Sequence, residues 1–213
     1  TKNWSAETYG TFCSSEYFLN VFAFFLIFAG IILDKMGIRF TGILSAAVMV
    51  IGASIKLYAI SDLFTPENGL YRFLNSFWTS FPPTAKLASV GFMIFGCGVE
   101  MGGVTVSKAI AKWFKGKEMA LAMGLEMAIA RLGVFAVFRL SPALSTWANE
   151  AMPTVVTPVL FCTILLIIGL LTYTTFTFMD KKLDAQLGEA ATDEPEEQFK
   201  VSDVGKLFTS KTF

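Results

Sequence analysis

The chain has 213 residues, with 17 basic and 17 acidic side chains and no histidine, and 54% of it is hydrophobic. Because the charges balance, the chain has no net positive field that would attract nucleic acid. Histidine, the most common metal ligand and general base, is absent. The three cysteines, Cys13, Cys97 and Cys162, lie far apart in or beside apolar runs, which predicts apolar packing. We therefore expect no metal, no cofactor and no nucleic-acid partner.

The apolar residues come in blocks of about 20, the length that an α-helix needs to cross a bilayer. In lipid the backbone must satisfy its own hydrogen bonds, and no segment alternates like a barrel strand. The sequence therefore predicts an all-α integral membrane protein. We expect five spanning helices, over residues 14–33, 40–60, 86–111, 119–140 and 155–179.

Lysine and arginine collect on one side of these helices, while the opposite loops carry only Arg72. Short cytoplasmic loops are enriched in basic residues, so the basic side is predicted to be cytoplasmic and the protein to be multi-pass. Thr1 would then lie outside and the C-terminal tail inside. The basic positions are Lys35, Arg39, Lys112, Lys115, Lys117, Lys181 and Lys182.

The composition changes after residue 179. Residues 180–198 are charged and acidic, which indicates a solvated linker. Beyond them, apolar residues recur at helical spacing from Val201 to Phe208, behind the helix-start residues Ser202 and Asp203. We expect 180–213 to be a cytoplasmic linker with a short amphipathic helix.

The sharpest local motif lies at the inner end of the first predicted helix, where Gly30, Asp34, Lys35, Gly37 and Arg39 follow one another. Gly30 would allow close helix packing, Gly37 a tight reversal, and Asp34 could accept hydrogen bonds from basic groups or a helix N-terminus. This motif resembles the signature loop between helices two and three of the major facilitator superfamily, where it acts as a conformational gate. The alternative is an ordinary positive-inside turn.

Further along, the glycine-rich segment 95–103, the basic loop 113–118 and the segment 124–133 resemble helices four and five of the same superfamily. They are similar to the branch that contains the lysosomal dipeptide transporters and their bacterial relatives. The resemblance implies that 1–179 is a partial six-helix N-terminal bundle, lacking its first helix and the C-terminal six-helix bundle. Two departures are Ile38, where many members are basic, and Phe92, where many proton-coupled members carry arginine.

Two opposite charges lie within the predicted membrane helices, Glu100 and Arg131. Each is about fifteen residues from the inner loop, which places both at about 23 Å from it. They could form a structural ion pair or face a shared wet cavity. The family resemblance implies that both bind substrate, whose termini carry an amine and a carboxylate.

Lys108 and Glu126 repeat this arrangement nearer the inner surface, where they could form an inner gate or simply extend to the interface. Glu16, Lys56 and Arg139 are predicted to be interfacial because they fall toward the outer ends of their helices.

The leading hypothesis is a transporter that moves a small solute by alternating access, with dipeptides as the substrate that the resemblance implies. Organic anions or sugars are the alternative substrates, and a non-transporting membrane scaffold is the alternative function. A membrane-embedded enzyme is disfavoured, because the sequence has no histidine, no nucleophile motif and no carboxylate cluster with metal spacing.

Overall fold

The computed structural model describes residues 4–114, 118–147 and 154–187, and within these ranges it contains helices and no strand. Within the described ranges, four helices are long and apolar enough to cross a membrane, which confirms the all-α membrane fold and a multi-pass chain. The described helices are α1 (Ala6–Phe22), α2 (Phe25–Ile60), α3 (Gly69–Asn75), α4 (Pro83–Trp113), α5 (Glu118–Thr146) and α6 (Val156–Leu187).

The first predicted helix, 14–33, is interrupted. α1 ends at Phe22, and α2 begins at Phe25 after Phe24 adopts a left-handed conformation with φ 49° and ψ 40°. A bulky residue rarely adopts this conformation. The apolar residues next to Phe24 include no glycine or proline that would predict a break in the helix. The start is also earlier than predicted, because Ser5 caps α1 by accepting a hydrogen bond from the Thr8 N–H.

α1 and the beginning of α2 together follow α4 along its length, in the same direction. Contacts occur in the same order along both segments: Trp4 with Thr84, Phe12 with Phe92, Glu16 with Gly96, and Asp34 with Lys108. The two helical pieces therefore form one interrupted crossing that runs parallel to α4.

The chain reverses at Gly37, as predicted. Gly37 has φ 74° and ψ 172°, a conformation that glycine adopts without steric cost. Beyond it α2 runs antiparallel to α4, and Ser45 Oγ donates to the Gly98 carbonyl at 2.8 Å. Ile38, which replaces a basic residue of the family pattern, is buried with Leu33 and Ala109 in an apolar cluster.

The outer loop between α2 and α4 contains a short helix that the sequence did not predict. Asn68 caps α3 by accepting from the Leu70 N–H at 3.0 Å. The Lys86 ammonium at the start of α4 donates to the carbonyls of Leu74 and Phe77 at the end of α3. Lys86 thereby ties the short helix to the spanning one.

α6 continues to Leu187, so residues 180–187 are helical and not part of a linker. Asp180, expected in solvent, is fully buried. Earlier in α6, the Tyr173 hydroxyl donates to the Ile38 carbonyl at 3.0 Å. This hydrogen bond joins α6 to α2 just after the reversal at Gly37. The amphipathic helix predicted near Val201 lies outside the described residues.

α5 is the least packed of the spanning helices. None of its described residues is buried, and Leu125, Leu132 and Phe138 are 59%, 65% and 78% exposed. An apolar helix exposed on all sides needs lipid or further protein around it. α5 begins near the predicted residue 119 and ends six residues after the predicted 140, at Thr146.

Glycines bring α2 and α4 into backbone contact. A Cβ at Gly52 would lie 2.5 Å from the Phe95 nitrogen and 2.6 Å from the Gly91 oxygen. A Cβ at Gly98 would lie 2.6 Å from Met49 Cγ and 2.9 Å from the Met49 nitrogen, so the glycine-rich segment of α4 does pack closely, as small residues do in membrane helices. The expectation for Gly30 is not met, since the described residues leave open space beside it.

We expect Gly52→Ala to destabilise the protein, because the added methyl group would overlap the α4 backbone, which cannot rotate away. Overpacking of this kind costs about 1–3 kcal/mol. Thermal unfolding of the full-length protein measures the effect. Gly103→Ala is the matched control, since a Cβ at Gly103 on α4 meets nothing within 4 Å. Equal melting temperatures for the two variants would contradict this packing.

Candidate functional site

The signature loop is joined to α4 by one ion pair. The Lys108 ammonium donates to Asp34 Oδ1 at 3.2 Å, and both side chains are about one-third exposed. This confirms that Asp34 accepts from a basic group. No hydrogen bond or ion pair joins Lys108 to Glu126 in the described structure, and their role as an inner gate stays a prediction. Lys35 is exposed.

Arg39, the last residue of the motif, belongs to an ionic cluster where the reversal in α2 meets the ends of α4 and α6 that are predicted to be cytoplasmic. Its Nε donates to Asp180 Oδ2 at 2.7 Å, and its guanidinium also contacts Asp184. Lys112 Nζ lies 2.9 and 3.0 Å from the two Asp180 oxygens and 2.7 Å from Asp184. Trp113 Nε1 donates to Asp180 at 3.0 Å. We call these five residues the inner cluster.

Asp180 is the centre of the inner cluster. Its side chain is 0% exposed, whereas Arg39, Lys112 and Asp184 retain 32%, 33% and 45% exposure. Each carboxylate oxygen accepts from cationic or indole donors, so the buried charge is compensated. The cluster fastens three helices at one level, just beside the reversal at Gly37.

The sequence did not predict the burial of Asp180, because this residue begins a charged run that is typical of a solvated segment. The available signal was the spacing of Asp180 and Asp184, which places both carboxylates on one face if the helix continues. The continuation depends on partners from α2 and α4, which sequence periodicity does not show.

Glu100 and Arg131 are not brought together. Glu100 is partly buried on α4, while Arg131 is exposed on α5, which has few contacts with α4. Neither residue forms a hydrogen bond or an ion pair with any residue that the structure describes. The structure therefore provides no pair between them, and their substrate-binding role stays a prediction.

A charged residue of another helix does lie near Glu100. Glu16 on α1 lies within electrostatic range of both Glu100 and Lys56. A Cβ at Gly96, one turn before Glu100, would overlap the Glu16 carbonyl oxygen, so α1 touches α4 here. Both side chains converge on the contact between α1, α2 and α4, and their placement at the membrane interface stays a prediction.

Two aromatic rings of α4 hold the Lys56 ammonium. Its Nζ lies 4.5 Å from the ring centre of Phe92 and 5.0 Å from that of Phe95. Both distances are within the range of a cation–π interaction. Phe92, noted above as a departure from the family pattern, thus has a specific contact with a cation on the neighbouring helix.

A polar side chain without a partner lies one turn beyond Glu16. Both amide atoms of Asn20 are buried, and neither has a hydrogen-bond partner among the described residues. Because α1 and α4 run parallel and Glu16 is level with Gly96, Asn20 is level with Glu100. The break at Phe24 follows within another turn.

Two cavities lie between the helices on the other side of α4, and both are apolar. One, of about 160 Å³, lies between α2, α4 and α6 and is lined by Ser45, Met49 and Tyr173 among others. The second, of about 360 Å³, lies against Trp113 and Phe176. Neither is lined by Glu100 or Arg131, so neither is the predicted substrate site.

The sequence is similar to the lysosomal dipeptide transporter MFSD1 of several species. The proteins of Bos taurus and Homo sapiens are each 31% identical to it over 107 residues, which is 50% of this chain and 19% of the relative. That of Danio rerio is 32% identical over 105 residues, 49% of this chain and 18% of the relative. No protein-family model and no solved structure matches the chain.

These matches confirm the resemblance to major facilitator superfamily transporters for about half of the chain. The chain spans less than two-fifths of the length of these relatives, and the aligned part is about one-fifth of them.

Proposed function

We propose that the protein is a membrane transporter that moves a small charged or zwitterionic solute by alternating access, with dipeptides as the substrate class. One observation carries this proposal. Glu16, Lys56 and Glu100 hold charge where three membrane helices meet, next to an interrupted crossing. Glu100 lies near the centre of α4, where a charge costs about 2.5–3.5 kcal/mol on insertion scales, which supports a functional role for it.

The dipeptide assignment is supported by the similarity to relatives that are themselves named dipeptide transporters. A dipeptide has one ammonium and one carboxylate. We propose that Glu100 binds the ammonium and Arg131 the carboxylate. Interrupted helices near the midplane are also where secondary transporters place their sites. A sugar would leave the mid-membrane charges without a counter-charge.

The rest of the transporter would come from the same protein. A first helix beside α5 and a second six-helix bundle would cover the apolar surface that α5 exposes, and the site would lie between the two bundles. The inner cluster and the pair of Asp34 with Lys108 would then hold the inner ends of the N-terminal helices together while the bundles rock. Gly30, Lys35 and Gly37 are the other residues of the signature-loop motif that contains Asp34 and Arg39.

The basic inner ends are proposed to face the cytoplasm. Lys35 is exposed at the inner reversal and Glu67 in the outer loop, so each can be replaced by cysteine without removing a described contact. In a background without Cys13, Cys97 and Cys162, Lys35→Cys should react only from the cytoplasmic side and Glu67→Cys only from the other. Reaction of both from one side would contradict this topology.

Uptake by the full-length protein in liposomes tests the function. We expect a labelled dipeptide to accumulate above the level in empty liposomes and an excess of unlabelled dipeptide to compete. Amino acids, organic anions and sugars serve as the competing classes. Competition by an organic anion or a sugar alone would replace the dipeptide assignment, and no uptake of any class would support the scaffold alternative.

A further inference from the structure

The charges around Glu16 do not balance. Four elements meet there: Glu16 comes from α1, Lys56 from α2, Glu100 from α4, and Cys162 of α6 lies within electrostatic range of Lys56. With the thiol neutral and the other three groups ionised, the junction holds two carboxylates and one ammonium, with Glu16 within range of both Lys56 and Glu100. The described part of this junction therefore carries a surplus of one negative charge.

None of the three charges is neutralised by direct contact. Among the described residues, no salt bridge joins Glu16, Lys56 and Glu100, although Glu16 interacts with both others through space. The Lys56 ammonium is instead fixed over Phe92 and Phe95. Coulomb interactions inside a protein reach further than in water because the effective dielectric constant is lower. Lys56 can thus offset Glu16 without touching it.

A second observation indicates that a ligand belongs at this level. The side chain of Asn20 has one donor group and one acceptor, both buried and without partners in the described structure. Leaving such groups unsatisfied costs about 1–3 kcal/mol, so a polar partner is expected. Asn20 is level with Glu100 on the adjacent helix, and the unsatisfied amide and the surplus charge therefore occur together.

We propose that Lys56 determines which solute charge is transported. Its ammonium offsets the charge of Glu16, so that the uncompensated charge of Glu100 interacts with the ligand. This rests on the proposed function. A solute with one ammonium near Glu100 then matches the surplus, whereas a solute with a second cationic group does not. Lys56 is a positioning residue here and need not touch the ligand.

The test compares two labelled dipeptides, alanyl-alanine and lysyl-alanine, taken up by the full-length protein in liposomes. In Lys56→Met the surplus becomes two negative charges, so uptake of lysyl-alanine relative to alanyl-alanine should rise about tenfold, as a change of about 1.4 kcal/mol would produce. Lys56→Arg keeps the charge and should keep the ratio of the unmodified protein.

The double variant Glu16→Gln/Lys56→Met restores a surplus of one. Its uptake ratio should return to within about twofold of the unmodified protein, which a purely structural role of Lys56 would not predict. The melting temperature of each variant separates misfolding from altered selectivity. An unchanged ratio in folded Lys56→Met, or no return in the folded double variant, would overturn the inference.

If Lys56→Met does not fold, the double variant and Lys56→Arg still decide the matter, since both are charge-matched to the original. A changed ratio in either folded protein contradicts charge selection by Lys56. Failure of the unmodified protein to take up both dipeptides contradicts the proposed function and this inference with it. Uptake by the unmodified protein with the wrong ratios contradicts the inference alone.

Discussion

Replacing Asp180 by asparagine is expected to cause a large loss of stability. The asparagine side chain would retain the size of the carboxylate but would leave Arg39 and Lys112 with Asp184 as their remaining carboxylate in the inner cluster. Removing one partner of a buried ionic network costs about 3–5 kcal/mol. Because Arg39 and Lys112 are one-third exposed and keep Asp184, we expect a loss at the lower end of this range. Thermal unfolding of the full-length protein in detergent should show the lower midpoint.

Asp184→Asn is the matched control for this substitution. It removes the same chemical group from the same helix, one turn further, but the Asp184 side chain is 45% exposed. Exposed ion pairs contribute about 0–1 kcal/mol, so the midpoint should change little. If the two variants unfold at the same temperature, Asp180 is not the residue that fastens α6 to α2 and α4.

Neutralising Glu100 or Arg131 is expected to reduce dipeptide uptake by about 10- to 100-fold while the protein remains folded. Each group would lose a charge-assisted hydrogen bond to the ligand, worth about 1.5–3 kcal/mol. The variants are Glu100→Gln, Arg131→Met and the double variant, each measured for uptake and melting temperature. We expect the double variant to remain inactive, because it lacks both contacts to the ligand.

Two substitutions outside the proposed site are the controls for these variants. Arg139→Met removes a guanidinium from an exposed position of the same helix as Arg131, and Glu67→Gln removes a carboxylate from the outer loop. Both should keep full uptake. Recovery of uptake in the Glu100 and Arg131 double variant would instead identify a structural ion pair. In such a pair, one unpaired charge impairs the protein more than the loss of both charges.

The parts of the fold that the sequence predicted are those that depend on the local chain. Apolar blocks of spanning length predicted the membrane helices, and Gly37 predicted the reversal, because only a residue without a Cβ adopts its conformation easily. Asp34 was expected to accept from a basic group or from a helix N-terminus, and in the structure the Lys108 ammonium donates to it.

The parts that the sequence did not predict depend on contacts between distant segments. The break at Phe24 has no local marker, and Asp180 is buried only because Arg39, Lys112 and Trp113 converge on it from two other helices. Counting residues along each helix places Glu100 and Arg131 at the same depth, and the sequence therefore predicted that they could pair. The packing of α1 and α2 on α4 instead brings Glu16 within range of both Glu100 and Lys56, because helix rotation decides which residues face each other.

Solute counterflow tests the central claim, alternating access to a dipeptide site, most directly. Liposomes containing the full-length protein are loaded with unlabelled dipeptide and diluted into a trace of labelled dipeptide. A carrier that exchanges one site between two sides should accumulate label transiently above its equilibrium level, and Glu100→Gln should abolish this peak. A monotonic approach to equilibrium, or the same label content as in empty liposomes, would contradict the account.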